Sequence, residues 1–287
     1  MAGRVRLREI TLRDRYEEFA EMVRKNLLEQ SRYPIEFVAG VGMLFMVILM
    51  FSFSAASFTA PPGSPRDPNA PDPSSLGGTM FYGFILFAFL SSALWNIGFS
   101  IREEQVRGTL ETLYMSPASK FSQLLARVFG TILLSGILSI IGFGFITFVL
   151  GPLPVQNLGF GLVVFFFALL GAVGIGFMLA AVTLVAKATV NHLIQFLQFF
   201  FMIGCAMFFP FRVLPPWMVD GVSRWIPVSY SVDLFRSTLM GAAPELLPWQ
   251  SEFAIVAAFG IISPLLGYWL YLKMEARARE QGKLGEF

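Results

Sequence analysis

Histidine and cysteine, the residues that most often build sites in soluble enzymes, are nearly missing. The chain of 287 residues has one cysteine, Cys205, and one histidine, His192. A lone cysteine excludes an internal disulfide and a thiolate metal cluster. His192 has no second histidine or acid at ligand spacing, which argues against a metal site. Charge is scarce as well, at 14% Asp, Glu, Lys and Arg, where soluble domains carry about 25%. Against 55% hydrophobic residues, that scarcity excludes a disordered chain and argues against a soluble globular one. The net charge of +2 is too small for a nucleic-acid footprint, so no nucleic-acid partner is expected. A nucleotide-binding P-loop is missing too: only Lys283 follows a glycine, and Leu284 comes next.

What is there is a set of long charge-free runs. A helix needs roughly 20 apolar residues to cross about 30 Å of hydrocarbon, and a charge near its centre is costly. The runs are Phe37 to Phe58, Thr79 to Ile101, Val128 to Leu150, Phe160 to Ala186, Ala188 to Phe211 and Phe253 to Leu272. The third and fourth are separated by Gly151 to Asn157, a Pro- and Gly-rich break. Six spans put both termini on one side. Seventeen basic residues fall in the segments on that side and four on the other, which predicts a multi-pass protein of the cell membrane with both termini cytoplasmic. A secretory signal is not expected, because charged, helix-like residues precede the first run and that run is long enough to span. The expected architecture is an all-α polytopic membrane protein: residues 1–36 a cytoplasmic interfacial helix, 37–272 a six-span domain, 273–287 a cytoplasmic tail.

The segments between spans carry their own patterns. Leu12, Tyr16, Phe19, Val23 and Leu27 share one helical face, which predicts an amphipathic helix lying on the membrane surface or packed on a partner. Six prolines between Pro61 and Pro73 predict an extended outer loop, as a plain connector or a lid. In the loop 102–119, Gly108 interrupts a charged stretch, and Thr109 can cap a short helix that Leu110, Leu113 and Tyr114 make amphipathic. That is either a docking element or a solvated link. Segment 212–252 holds broken apolar pieces with Pro and Trp, which predict short helices dipping into the outer leaflet, buried in protein or lining water.

Polar residues inside the spans cluster. Lys187, Asn191, Gln195 and Gln198 fall on one face of the fifth span, and Ser92, Asn96 and Ser100 on one face of the second, beside Trp95. Two readings stand: an inward-open cavity or hydrogen bonds between helices. Phenylalanines around Phe199 could add an aromatic pocket for an amphiphile, or face lipid. None of the six runs contains Asp or Glu, which disfavours ion coupling. With no ATP site either, active transport would draw its energy from another chain.

The stretch from Glu103 to Pro117 resembles the cytoplasmic loop of type V ABC exporter permeases, the class of the daunorubicin-resistance and nodulation-factor exporters. Their pattern is roughly E-x-x-x-G-T-L-E-x-L followed by S-P or T-P, and Glu104, Gly108, Thr109, Leu110, Glu111, Leu113, Ser116 and Pro117 fit it. Arg24 to Pro34 resembles the family's approach to its first span. Pro210 to Trp217, Pro227 to Tyr230 and Asp233 to Arg236 resemble its outer segment. The resemblance implies a half-transporter that is not itself an enzyme. It would pair with a second copy or a homologous permease and dock on two copies of an ABC ATPase, which would bind ATP and magnesium; this chain would hold no cofactor. Coupling to the ATPase would fall to Glu103, Glu104, Gly108, Thr109, Leu110, Glu111 and Leu113. An outer gate would fall to Leu214, Pro215, Trp217, Pro227, Tyr230, Asp233 and Arg236. Asn96, Asn191, Gln195, Gln198 and Phe199 are expected to line the cavity on periodicity alone. The cargo suggested is amphiphilic, drug-like or lipid-like. Alternatives are export of a glycan or lipid-linked saccharide, a membrane-embedded enzyme on a lipid-linked substrate, or a scaffold subunit without a pathway.

Overall fold

The computed structural model describes residues 73–98, 120–186 and 189–280, with isolated positions between 20 and 53. The expected interfacial helix, the first span and the coupling loop with Glu103, Glu104, Gly108, Thr109, Leu110, Glu111 and Leu113 lie outside the described residues, apart from helical positions such as Ala20, Glu21 and Arg24.

Helices α1 (Pro73–Ser92), α2 (Lys120–Leu150), α3 (Leu158–Ala186), α4 (Val190–Gly204), α5 (Pro216–Gly221), α6 (Pro227–Met240) and α7 (Trp249–Glu280) follow one another, and no strand occurs among the described residues. A π-helical segment, Ala93–Gly98, continues α1. Among the described residues, three stretches are long and apolar enough to cross a membrane: Gly77–Gly98, Leu158–Leu184 and Trp249–Ala278. Ser135–Val149 and Val190–Gly204 are shorter apolar helices. This is an all-α membrane protein. Trp249 and Trp269, each about half exposed, are separated along α7 by about 30 Å at about 1.5 Å per residue, the thickness of the hydrocarbon layer whose borders favour tryptophan.

Among the boundaries that differ from those read off the sequence, three bear on the site. Helix α1 begins at Pro73, inside the proline-rich loop, because proline is well tolerated in a helix's first turn. Helix α4 stops at Gly204 although the apolar run continues to Phe211. The chain turns there, with Ala206 at φ 47°, so its last carbonyls need donors from elsewhere. Helix α7 begins at Trp249 and therefore takes in Glu252, fully buried, and near its far end Glu275, also buried. The last span thus carries acids at its two ends, where the expected bounds left none. Glu252 lies in the first turn, where the helix dipole favours an acid.

The core is the pairing of α3 with α7, with α6 inserted against both and against α1. Helices α3 and α7 approach through glycines. A Cβ on Gly174 would stand 2.2 Å from the Ser263 carbonyl carbon, and the Ser263 hydroxyl donates to Gly171 O at 3.0 Å. Small residues let membrane helices come close enough for such contacts.

Candidate functional site

Helix α6 is short, polar and buried on nearly every side. Pro227 occupies its first turn, where a missing N–H costs nothing. Gly241 ends it in the left-handed conformation, φ 68°. A Cβ at Gly241 would fall 2.2 Å from the Gln156 side chain, so both the angle and the space call for glycine.

Two charged side chains one turn apart on α6 reach in different directions. Arg236 donates from Nη2 to Ala206 O at 2.8 Å and Met207 O at 3.2 Å, and from Nη1 to Phe209 O at 3.1 Å. These are carbonyls of the turn that ends α4. The Ser223 hydroxyl adds a bond to Gly204 O at 2.6 Å. Helix α1 closes on the same turn, since a Cβ on Gly83 would lie 1.6 Å from Met207 O and 3.0 Å from Arg236 Nη2. Asp233 works on amides: its Oδ2 accepts from Glu245 N at 2.7 Å and Leu246 N at 2.8 Å. Glu252 Oε1 accepts from the next amide, Leu247 N, at 3.0 Å. Two carboxyls thus hold three consecutive N–H groups of the loop joining α6 to α7. Irregular backbone shut away from water must find such partners or pay several kcal/mol per group; the buried charges supply them.

Burial pulls the Arg236 guanidinium down to about 10, against the pull of Asp233 and Glu245, so it stays charged at neutral pH. Burial pushes the Asp233 carboxyl above the usual carboxylate range, while the Leu246 and Glu245 amides hold it down.

The expected gate residues divide into two groups. Tyr230, Asp233 and Arg236 are buried, the Tyr230 hydroxyl donating to Arg224 O at 2.7 Å. Pro215, Trp217 and Pro227 are exposed and Leu214 is half-buried. Trp217 and Trp225, at 70% and 81% exposure, present their rings outward from the short helical turns around α5.

The expected cavity residues divide as well. Asn96, Asn191, Gln195 and Phe199 are exposed. Gln198 is half-buried and accepts a bond from Trp95 Nε1 at 2.9 Å, tying the π-helical segment to α4. Ser92 likewise pairs with Ser135 of α2 at 3.0 Å. Gln198 and Ser92 thus join helices, and Asn96, Asn191 and Gln195 are exposed. Thr183 anchors the end of the π-helical segment, its hydroxyl 2.6 Å from Gly98 O. In a double-mutant cycle on Trp95→Phe and Gln198→Leu, we expect a coupling of about 0.6 kcal/mol and no more than about 1.7 kcal/mol, read from unfolding in bicelles. Strict additivity of the two changes would mean that the bond does not hold in a bilayer.

Ser223, Gly83 and Glu252 belong to this arrangement and were not singled out from the sequence. Glu252 carried one signal, an acid just before an apolar run and four residues after Pro248. Ser223 and Gly83 carried none, since their partners lie in other segments.

A family model described as ABC-2 family transporter protein matches residues 65–270, more than two thirds of the chain. No curated protein matches it.

Proposed function

The chain belongs to the ABC-2 transporter family and is a membrane subunit of an ABC transporter; on that premise we propose that it is the permease half of an exporter moving an amphiphilic, drug-like or lipid-like substrate outward. A separate ATPase subunit, present in two copies and binding ATP and magnesium, powers it. Two permeases, identical or homologous, enclose the pathway in the cell membrane, with their termini in the cytoplasm.

The observation that supports this most is the outward face of α4. Asn191, Gln195, Phe196 and Phe199 stand exposed there, beside a helix face whose Val190 and Ile194 are buried against the chain's own core. Amides at membrane depth face a bundle interior or water. A face mixing amides with phenylalanine, open toward a second permease, suits a cargo that is part polar and part apolar. Asn96, at the π-helical segment, joins it from the second span. In this reading the loop with Glu103, Glu104, Gly108, Thr109, Leu110, Glu111 and Leu113 docks on the ATPase. Closure of the ATPases moves the loop, and the π-helical segment carries the motion to α4 through the Trp95–Gln198 bond. Leu214, Pro215, Trp217 and Pro227 form the exit, and Tyr230, Asp233 and Arg236 hold it in shape.

Co-expression with an ABC ATPase, sought in the neighbouring reading frame, tests the assignment. The two chains are expected to purify together, and Glu111→Arg is expected to drop cargo-stimulated ATP turnover to the level of the ATPase alone while membrane insertion is unchanged. Wild-type turnover in that variant would remove the coupling role of the loop.

A further inference from the structure

Glu252 is fully buried, and only one of its two carboxyl oxygens has a donor. Oε1 takes the Leu247 amide; Oε2 has no hydrogen-bond partner. The Asp233 carboxyl, itself buried, is its neighbour: the two accept from adjacent amides, Asp233 from Leu246 N and Glu252 from Leu247 N. Two carboxylates only accept, so a bond between them requires a proton on one. Two like charges in contact inside an apolar site also cannot both ionise at modest cost. A shared proton turns one of the two acceptors into a donor and relieves the repulsion in a single step.

We propose that Asp233 and Glu252 hold one proton between them, forming a proton-binding clamp on the loop that joins α6 to α7. With the proton in place, the pair grips the consecutive amides of Glu245, Leu246 and Leu247. Without it, two negative charges face each other across α6 and α7 and push the helices apart at this end of the bundle.

The surrounding charges leave that balance intact. On α6 the nearest groups are Tyr230, whose hydroxyl is bonded to Arg224 O, and Arg236, whose Nη groups donate to the carbonyls of Ala206, Met207 and Phe209 while its Nε has no partner. On the loop, Glu245 is exposed and its Oε2 accepts from the Arg212 amide. Helix α3, which runs along α7, has no titratable side chain. The only titratable group of α1 is Tyr82, bonded to Pro154 O. Arg236 is the one cation of this set; its charge acts on Asp233, but its Nη donors stay on the turn after α4 and bridge neither carboxyl.

A proton bound in the folded chain and released on unfolding makes stability fall as pH rises. Thermal unfolding of the full chain in nanodiscs, followed from about pH 5 to about pH 9, tests this without any transport partner. The wild type is expected to lose melting temperature steadily across that range, above the ordinary carboxylate value of about 4. Glu252→Gln keeps an acceptor for the Leu247 amide and offers a fixed N–H to Asp233, so its melting temperature is expected to stay flat and to exceed the wild type's at the alkaline end. Asp233→Asn is expected to flatten the slope as well. A wild-type slope that persists in both variants overturns the proposal. Should neither variant fold, the infrared band of a protonated carboxyl in the wild type decides: present at neutral pH and lost on alkalinisation it supports the pair, and absent at neutral pH it overturns it.

Discussion

Arg236→Met is expected to destabilise the chain by about 3 kcal/mol or more, since each buried acceptor left without a donor costs about 1–3 kcal/mol. Three carbonyls lose this donor at once, those of Ala206, Met207 and Phe209, and Ala206 O keeps only a long bond from the Phe209 amide at 3.4 Å. Methionine matches much of the side chain's volume, so the change isolates the lost donors from any cavity. The turn cannot relax inward, because Gly83 of α1 already packs against Met207 O. The buried Asp233 carboxyl also loses a nearby positive charge that favours its ionised form. Against a total stability of about 5–15 kcal/mol, this is enough to empty much of the folded population during heating or mild denaturation. Denaturant unfolding in detergent, with monodispersity on a sizing column as the second readout, measures it. Arg236→Lys offers one compact donor group in place of a fork and is expected to recover only part of the loss. A methionine variant within about 1 kcal/mol of wild type, the worth of a single net hydrogen bond, would mean that water reaches the turn and that the arginine does not hold it.

The sequence makes the spans legible because charge is costly in hydrocarbon. Helices α1, α2, α3, α4 and α7 each overlap one of the charge-free runs. Their ends are less legible, for a reason visible at Gly204. Nothing in the apolar stretch from Cys205 to Phe209 announces a break. The break is stabilised by Arg236, some 30 residues further on, a contact that no local pattern encodes. For the Asp233 to Arg236 stretch the resemblance implies a part in a gate. Its spacing of three would suggest an ion pair along one helical face. The hydrogen bonds instead go to backbone of two different segments, the loop after α6 and the turn after α4. A charged residue read alone gives its cost of burial but not the group that repays it. The α4 amides show the same limit. Periodicity placed Asn191, Gln195 and Gln198 together, yet only the fold brings Trp95 to Gln198 and leaves the other two exposed.

Gly174→Leu is the other change expected to be severe, again about 3 kcal/mol or more. Overpacking a tight contact typically costs about 1–3 kcal/mol. Here the obstacle is backbone: the first added carbon would stand 2.2 Å from the Ser263 carbonyl carbon and 2.4 Å from Pro264 N. No rotamer change clears it, so α3 and α7 must separate. Separation stretches the Ser263 bond to Gly171, worth about 0.6 kcal/mol in a bilayer. It also opens the close approach of Gly267 to Gly174 O, where a Cβ would lie 2.4 Å away. Helix α6 rests on both partners, so the anchoring of Asp233 and Arg236 should loosen with them. Gly144→Leu is the matched control. It sits on α2 with nothing within 4 Å of its added carbon, and the better helix former should leave stability equal or raise it by up to about 1 kcal/mol. Thermal unfolding of Gly174→Ala, Gly174→Leu and Gly144→Leu side by side separates the effects: a graded loss across the first two, with the third unharmed, follows from a close α3–α7 crossing. Equal melting of Gly174→Leu and wild type would mean that the two helices do not meet at that glycine.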